Sequence, residues 1–66
     1  MVKINTDFIT LTQFLKLEDF ISTGGEVKFF LSSNKVVVNG EKEDRRGRKL
    51  YVNDKIEVCD KVFIIE

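Results

Sequence analysis

VKFFLSSNKVVVNG, residues Val27 to Gly40, changes its apolar period midway, and that change decides the fold class. Up to Ser32 the apolar residues Val27, Phe30 and Leu31 are spaced i, i+3, i+4, which places them on one buried helix face. After Asn34 the β-branched run Lys35 to Val38 reads as a strand, and Asn39-Gly40 signals a tight hairpin because both residues accept positive φ. A helical period that gives way to an alternating one predicts an α+β domain. Two packed N-terminal helices precede a small, mostly antiparallel sheet of four to five short strands.

Working upstream, Thr23-Gly24-Gly25-Glu26 has the spacing of a capping box, so the second helix is expected from about Gly24 to Ser32. The connector Glu18 to Ser22 carries Phe20 and Ile21, which plug the space between two helices set at an angle. Leu11, Phe14 and Leu15 share one face of a first helix from Leu11 to Leu17, with Thr10 or Thr12 as its cap and Gln13 and Lys16 pointing outward. Val2-Lys3-Ile4 alternates as a short edge strand would. Phe29 falls nearly opposite the buried stripe of the second helix. Two readings stay open for it: cover by the terminal strands, which the small size of the fold favours, or a surface on which bases stack.

Downstream of the hairpin, the return strand begins near Glu41, breaks at the polar loop Glu43 to Gly47 and resumes over Arg48 to Val52. In that segment Leu50 and Val52 are expected inward, with Lys49 and Tyr51 outward. Asn53-Asp54 is a further turn, followed by the alternating strand Lys55 to Val58 and a last apolar strand from Val62 to Ile65. The predicted core is Leu11, Phe14, Leu15, Val27, Phe30, Leu31, Val36, Val38, Leu50, Ile56 and Val58.

The chain has 66 residues, which is room for one domain, 1–66, and its 42% hydrophobic and 33% charged residues suit a compact globular chain. A single cysteine, Cys59, and the absence of histidine leave no internal disulfide, no zinc site of Cys and His and no His-based acid–base machinery. These features point away from an enzyme, a metal site or a cofactor, and Cys59 reads as a passive residue at a strand end. The N-terminal residues lack an apolar signal core, and no apolar run approaches bilayer length, so a cytoplasmic, reduced setting is expected.

Formal net charge is zero, unlike the basic profile of most nucleic-acid-binding domains. The charges are segregated, however: Arg45, Arg46, Arg48 and Lys49 crowd around Gly47, while Asp54, Glu57, Asp60 and Glu66 lie in the tail. A ligand meets the local field and not the sum. Mutual repulsion gives these four cations no reason to gather for the sake of a core. The run is therefore either a solvated loop or a site for an anion.

The order of a helix, a short link, a capped helix, a VNG hairpin, a basic loop and a turn before a strand resembles the S4-type RNA-binding domain. The resemblance covers about Ile9 to Val58. Within the family it is closest to the small free-standing bacterial members of the YaaA type, through ITLTQFLKLEDFISTGGEVKFFL, VVVNGE and RRGRKLYVNDKIEV. It implies the helix-and-hairpin arrangement called the alpha-L motif and a surface for structured RNA, commonly ribosomal RNA. By position that surface falls on Thr10, Thr12, Gln13, Thr23, Gly24, Lys28, Lys35, Asn39 and Gly40. The basic loop, Arg45, Arg46, Arg48 and Lys49, would extend it.

Many family members carry Arg where this chain has Thr10 and Gly24. At Gly24 and Gly25 a phosphate could instead approach backbone N–H groups at the helix start, with Lys28 one turn along as a point charge; alternatively the glycines permit a tight cap. The implied function is a non-catalytic RNA-binding protein, acting on ribosomal RNA or in ribosome assembly. The competing reading is an adaptor whose basic loop docks on an acidic protein partner.

Overall fold

The computed structural model describes residues 2–66. Its elements run β1 (Ile9–Thr10), α1 (Leu11–Leu17), a 3-10 turn (Gly24–Glu26), α2 (Val27–Ser33), β2 (Val36–Val38), β3 (Glu41–Lys42), β4 (Lys49–Leu50), β5 (Lys55–Val58) and β6 (Lys61–Ile64). Four strands form one antiparallel sheet in the order β3-β2-β5-β6. A separate antiparallel ladder pairs β1 with β4, Ile9 opposite Leu50. The segment read as an N-terminal edge strand contributes one parallel bridge, Val2 to Ile65.

Helix α1 has the bounds expected, and Thr10 is its cap. The Thr10 hydroxyl accepts from the Gln13 backbone N–H at 3.2 Å, and Gln13 Oε1 accepts from the Thr10 N–H at 2.8 Å. Gln13 thus closes a capping box instead of pointing freely outward. Helix α2 starts three residues later than expected. Two consecutive glycines are poor helix formers, and Gly24–Glu26 winds as a 3-10 turn before the α-helix begins. Here the Glu26 carboxylate does the capping, accepting from the backbone N–H of Thr23 at 2.7 Å and of Ser22 at 2.8 Å. Thr23 and Glu26 thus form the expected capping box, and the Thr23 hydroxyl also lies 3.3 Å from the same carboxylate.

The core is one cluster that joins both helices to the sheet. Leu11, Phe14 and Leu15 come from α1, Val27 and Leu31 from α2, Val36 and Val38 from β2, and Ile56 and Val58 from β5. Leu50 of β4 fills it with Val2, Ile9, Ile21 and Ile65, four residues beyond the predicted core. Asn39 and Gly40, at φ 52° and 85°, make the two-residue turn between β2 and β3, with Val38 opposite Glu41.

Three placements correct the sequence reading. Phe30 is only partly buried, tilted against Phe20 with ring centroids 5.7 Å apart. Phe29 is 76% exposed, not covered by the terminal strands. Phe63 of β6 turns instead to Phe14 and Phe20, at 5.2 and 5.9 Å, which leaves the far side of α2 open. Val52 is exposed because β4 ends at Leu50: the Asp54 carboxylate accepts from the Tyr51 N–H at 2.8 Å and bends the chain away before Val52 can point inward.

Candidate nucleic-acid interface

The basic loop is built over a buried carboxylate. The Glu43 N–H donates to the Val36 carbonyl at 2.8 Å, prolonging the β2–β3 pairing by one residue and turning the side chain under the loop. Glu43 is the one charged residue buried among the described residues, at 5% exposure. Its carboxylate accepts from the Arg45 backbone N–H (2.9 Å), Arg45 Nε (3.0 Å), Arg45 Nη2 (3.1 Å) and Arg48 Nη1 (2.7 Å). Chiefly the Arg45 guanidinium, with Arg48 helping and burial opposing, holds the Glu43 carboxyl down to about 2. Two of the four clustered cations therefore do serve the fold, contrary to the reading that none of them would.

The loop main chain is also pinned to the start of α1. The Leu11 N–H donates to the Arg48 carbonyl at 2.8 Å, and the Thr12 N–H and hydroxyl donate to the Arg46 carbonyl at 3.1 and 2.9 Å. Helix-start donors that would otherwise need water or an anion are thereby satisfied within the fold. With its carbonyl held, the Arg46 side chain faces outward, exposed.

Between α2 and this loop lies an open groove of about 660 Å³. Lys28 from α2, Lys42 from β3 and Arg45 and Arg46 from the loop line it, four cations against the single carboxylate of Asp44. The fold thus brings together Lys28, Arg45 and Arg46 from the predicted site. Lys42 joins them unanticipated. Its signal was its place one residue before buried Glu43 on an alternating strand, which turns it outward toward the loop.

The remaining predicted positions are spread around this centre. Thr10, Thr12 and Gln13 are engaged in the helix cap and the loop tether. Thr23 and Gly24 lie beside the Glu26 carboxylate, which those backbone hydrogen bonds hold below its usual range, so negative charge already occupies that helix start. At Gly24 an added Cβ would come 3.9 Å from Thr12 Cγ2, an ordinary contact. Asn39 donates to Asp54 Oδ1 at 3.0 Å and accepts from the Lys55 N–H at 2.9 Å, tying the Asn39–Gly40 turn to the next one. Lys35 faces a different cleft, shared with Glu57 and Asp60. Lys49 sits with its ammonium 4.9 Å over the Phe8 ring and does not line the groove.

Among the described residues, no group of His, Cys, Asp and Glu is placed to hold a metal ion, and no helix is long and apolar enough to cross a membrane.

A capped helix pair, a VNG hairpin and a cationic loop anchored on the first helix define an S4 domain. The S4 domain family matches residues 2–66, and the chain belongs to that family. It is 56% identical over 57 residues to the probable ribosome maturation protein RlbA of Bacillus subtilis (strain 168), a match spanning 86% of this chain and 80% of that protein. No solved structure matches the chain.

Proposed function

We propose that this protein binds structured RNA without catalysing a reaction on it, and that it acts in ribosome maturation by binding ribosomal RNA in the cytoplasm. The observation that carries the reading is the groove in which Lys28, Lys42, Arg45 and Arg46 converge from three elements of an S4 domain. The similarity to a probable ribosome maturation protein supports the process. Cations held at fixed spacing along an open groove suit a phosphate backbone, where each contact releases condensed counterions.

In this reading Lys28, Lys42 and Arg46 contact phosphates directly, and Arg45 does so with the part of its guanidinium that Glu43 leaves free. Thr10, Thr12, Gln13 and Asn39 shape the surface, Thr23, Gly24 and Gly40 border it, and Lys35, Arg48 and Lys49 contribute field from its margins. The test is fluorescence anisotropy with ribosomal RNA fragments across a salt series, together with sedimentation of cell extracts at low salt. Binding that weakens linearly in log salt, with the protein in ribosomal fractions, is expected. A protein that binds none of the fragments and is absent from those fractions, but is recovered on an acidic protein, would replace this reading with the adaptor one.

A further inference from the structure

The basic loop has a second side. Beyond Gly47, away from the groove, lies a cleft of about 430 Å³ lined by Arg45, Gly47, Arg48, Lys49 and Tyr51. Arg45 and Gly47 line both this cleft and the groove, so the cationic surface runs unbroken over the loop. Only one aromatic ring borders the cleft, and it is held as a platform. Tyr51 directly follows the fully buried Leu50 at the end of β4 and is 48% exposed. The Tyr51 N–H donates to Asp54 Oδ2 at 2.8 Å and its carbonyl accepts from the Asp54 N–H at 3.0 Å, which pins the backbone from both ends. Phe8 supports the ring from the side at 5.8 Å, and Lys49 covers Phe8.

Gly47 lines both clefts. Its φ lies outside the left-handed region and an added Cβ would meet nothing within 4 Å, so neither conformation nor crowding demands a glycine there. What the missing side chain leaves is a passage over the loop. Glu43 beneath it neutralises Arg45 and Arg48 in part, so Lys49 and Arg46 carry the free charge on either side.

We propose that the Tyr51 cleft holds an unpaired RNA base stacked on the phenol ring, while the phosphates of the same strand cross the loop over Gly47 into the groove of Lys28, Lys42 and Arg46. This rests on the RNA-binding reading and adds to it a contact that requires a base and not merely an anion. Aromatic rings accept any base face, whereas the cationic groove sees only phosphate.

The experiment compares a short unstructured oligoadenylate RNA with inorganic polyphosphate, an anion that has no bases. Tyr51 is the sole tyrosine of a chain without tryptophan, so its emission reports the cleft directly. Oligoadenylate should quench that emission and polyphosphate should leave it unchanged. Tyr51→Leu keeps an apolar contact for Phe8 but removes the π face; it should weaken oligoadenylate binding by roughly 5- to 150-fold, the range for losing one stacked base, without altering the salt slope or polyphosphate binding. Tyr51→Phe should bind as the parent does, and Gly47→Leu, which no neighbour opposes, should obstruct the crossing and weaken RNA binding. Thermal melts of each variant separate folding from binding. Oligoadenylate that binds Tyr51→Leu as tightly as the parent, or that saturates the parent without quenching, would overturn the stacked base while leaving RNA binding intact. A parent protein that binds ribosomal RNA fragments but not oligoadenylate would overturn it equally, and binding to no RNA at all would remove the underlying reading.

Discussion

Replacing Glu43 with glutamine tests the buried carboxylate that organises the basic loop. Glutamine retains the shape and one acceptor oxygen but leaves Arg45 and Arg48 without a counter-charge. The folded carboxyl titrates at about 2 against an ordinary 4.5, a difference that would correspond to about 3 kcal/mol if all of it appeared as stability. That figure is an upper bound, because the Arg45 side chain is 73% exposed and solvent screens the pair. A destabilisation of about 1 to 2 kcal/mol at pH 7 is expected, or roughly 5 to 15 °C in Tm for a domain of this size.

The pH dependence follows from the sign of the shift. A carboxyl whose folded pKa is depressed stabilises fully above its unfolded pKa and loses that contribution as pH falls through the folded value. The parent protein should therefore lose the Glu43 contribution between about pH 4.5 and pH 2, and Glu43→Gln should lack that part of the acid transition. Urea or thermal melts of both proteins across this range, followed by circular dichroism, supply the measurement. Equal stability at pH 7, or a gap between the two that persists undiminished at pH 2, would refute the reasoning. The same substitution should strengthen RNA binding and steepen its salt dependence, since two guanidinium groups are released. Stability and affinity are thus expected to move in opposite directions.

The double variant Lys28→Ala, Arg46→Ala should flatten the slope of log affinity against log salt by roughly 1.4 to 1.8 while folding stability stays within about 0.5 kcal/mol, as read by anisotropy and thermal melts. Arg45→Ala, Arg46→Ala should flatten the slope too but lower the melting temperature, because Arg45 anchors Glu43. Glu26→Gln should destabilise more than Thr23→Ala, since the carboxylate holds two backbone N–H groups; its depressed pKa means that its contribution is present at neutral pH and fades on acidification. Cys59 and Asp60 form the β5–β6 turn with φ of 51° and 66°, so Cys59→Asn, Asp60→Gly should raise stability by about 1 kcal/mol in urea melts.

What could be read from sequence was whatever repeats with a period. The helical spacing of Leu11, Phe14 and Leu15 and the alternation of Val36 and Val38 identified core residues, because one register places all of them at once. The Thr10-x-x-Gln13 spacing is itself that of a capping box, and it holds Gln13 against the helix start and not outward. Other features have no period to read. Glu43 meets Arg45 and Arg48 inside an irregular loop, where burial depends on the tether from Thr12, 34 residues away in the chain. Phe29 could be assigned only by knowing that Phe63 turns to Phe14 and Phe20. Leu50 was legible, but the end of its strand was not, since that depended on the Asp54 carboxylate reaching back to the Tyr51 N–H.

The tether explains how one loop could serve both stability and the proposed recognition of RNA. A flexible run of like charges would lose about 1 to 2 kcal/mol of backbone entropy per residue on settling against a phosphate backbone. Here the Arg46 and Arg48 carbonyls are already fixed on the start of α1, and the Arg45 N–H is fixed on Glu43. Folding has therefore supplied most of that ordering before any ligand arrives, and only side-chain freedom remains to be lost. Glu43 also cancels part of the repulsion that would otherwise splay the loop. The cost is a weaker field at Arg45 and Arg48, so in the proposed reading phosphate contact falls chiefly to Lys28, Lys42 and Arg46, the cations that make no ion pair with Glu43.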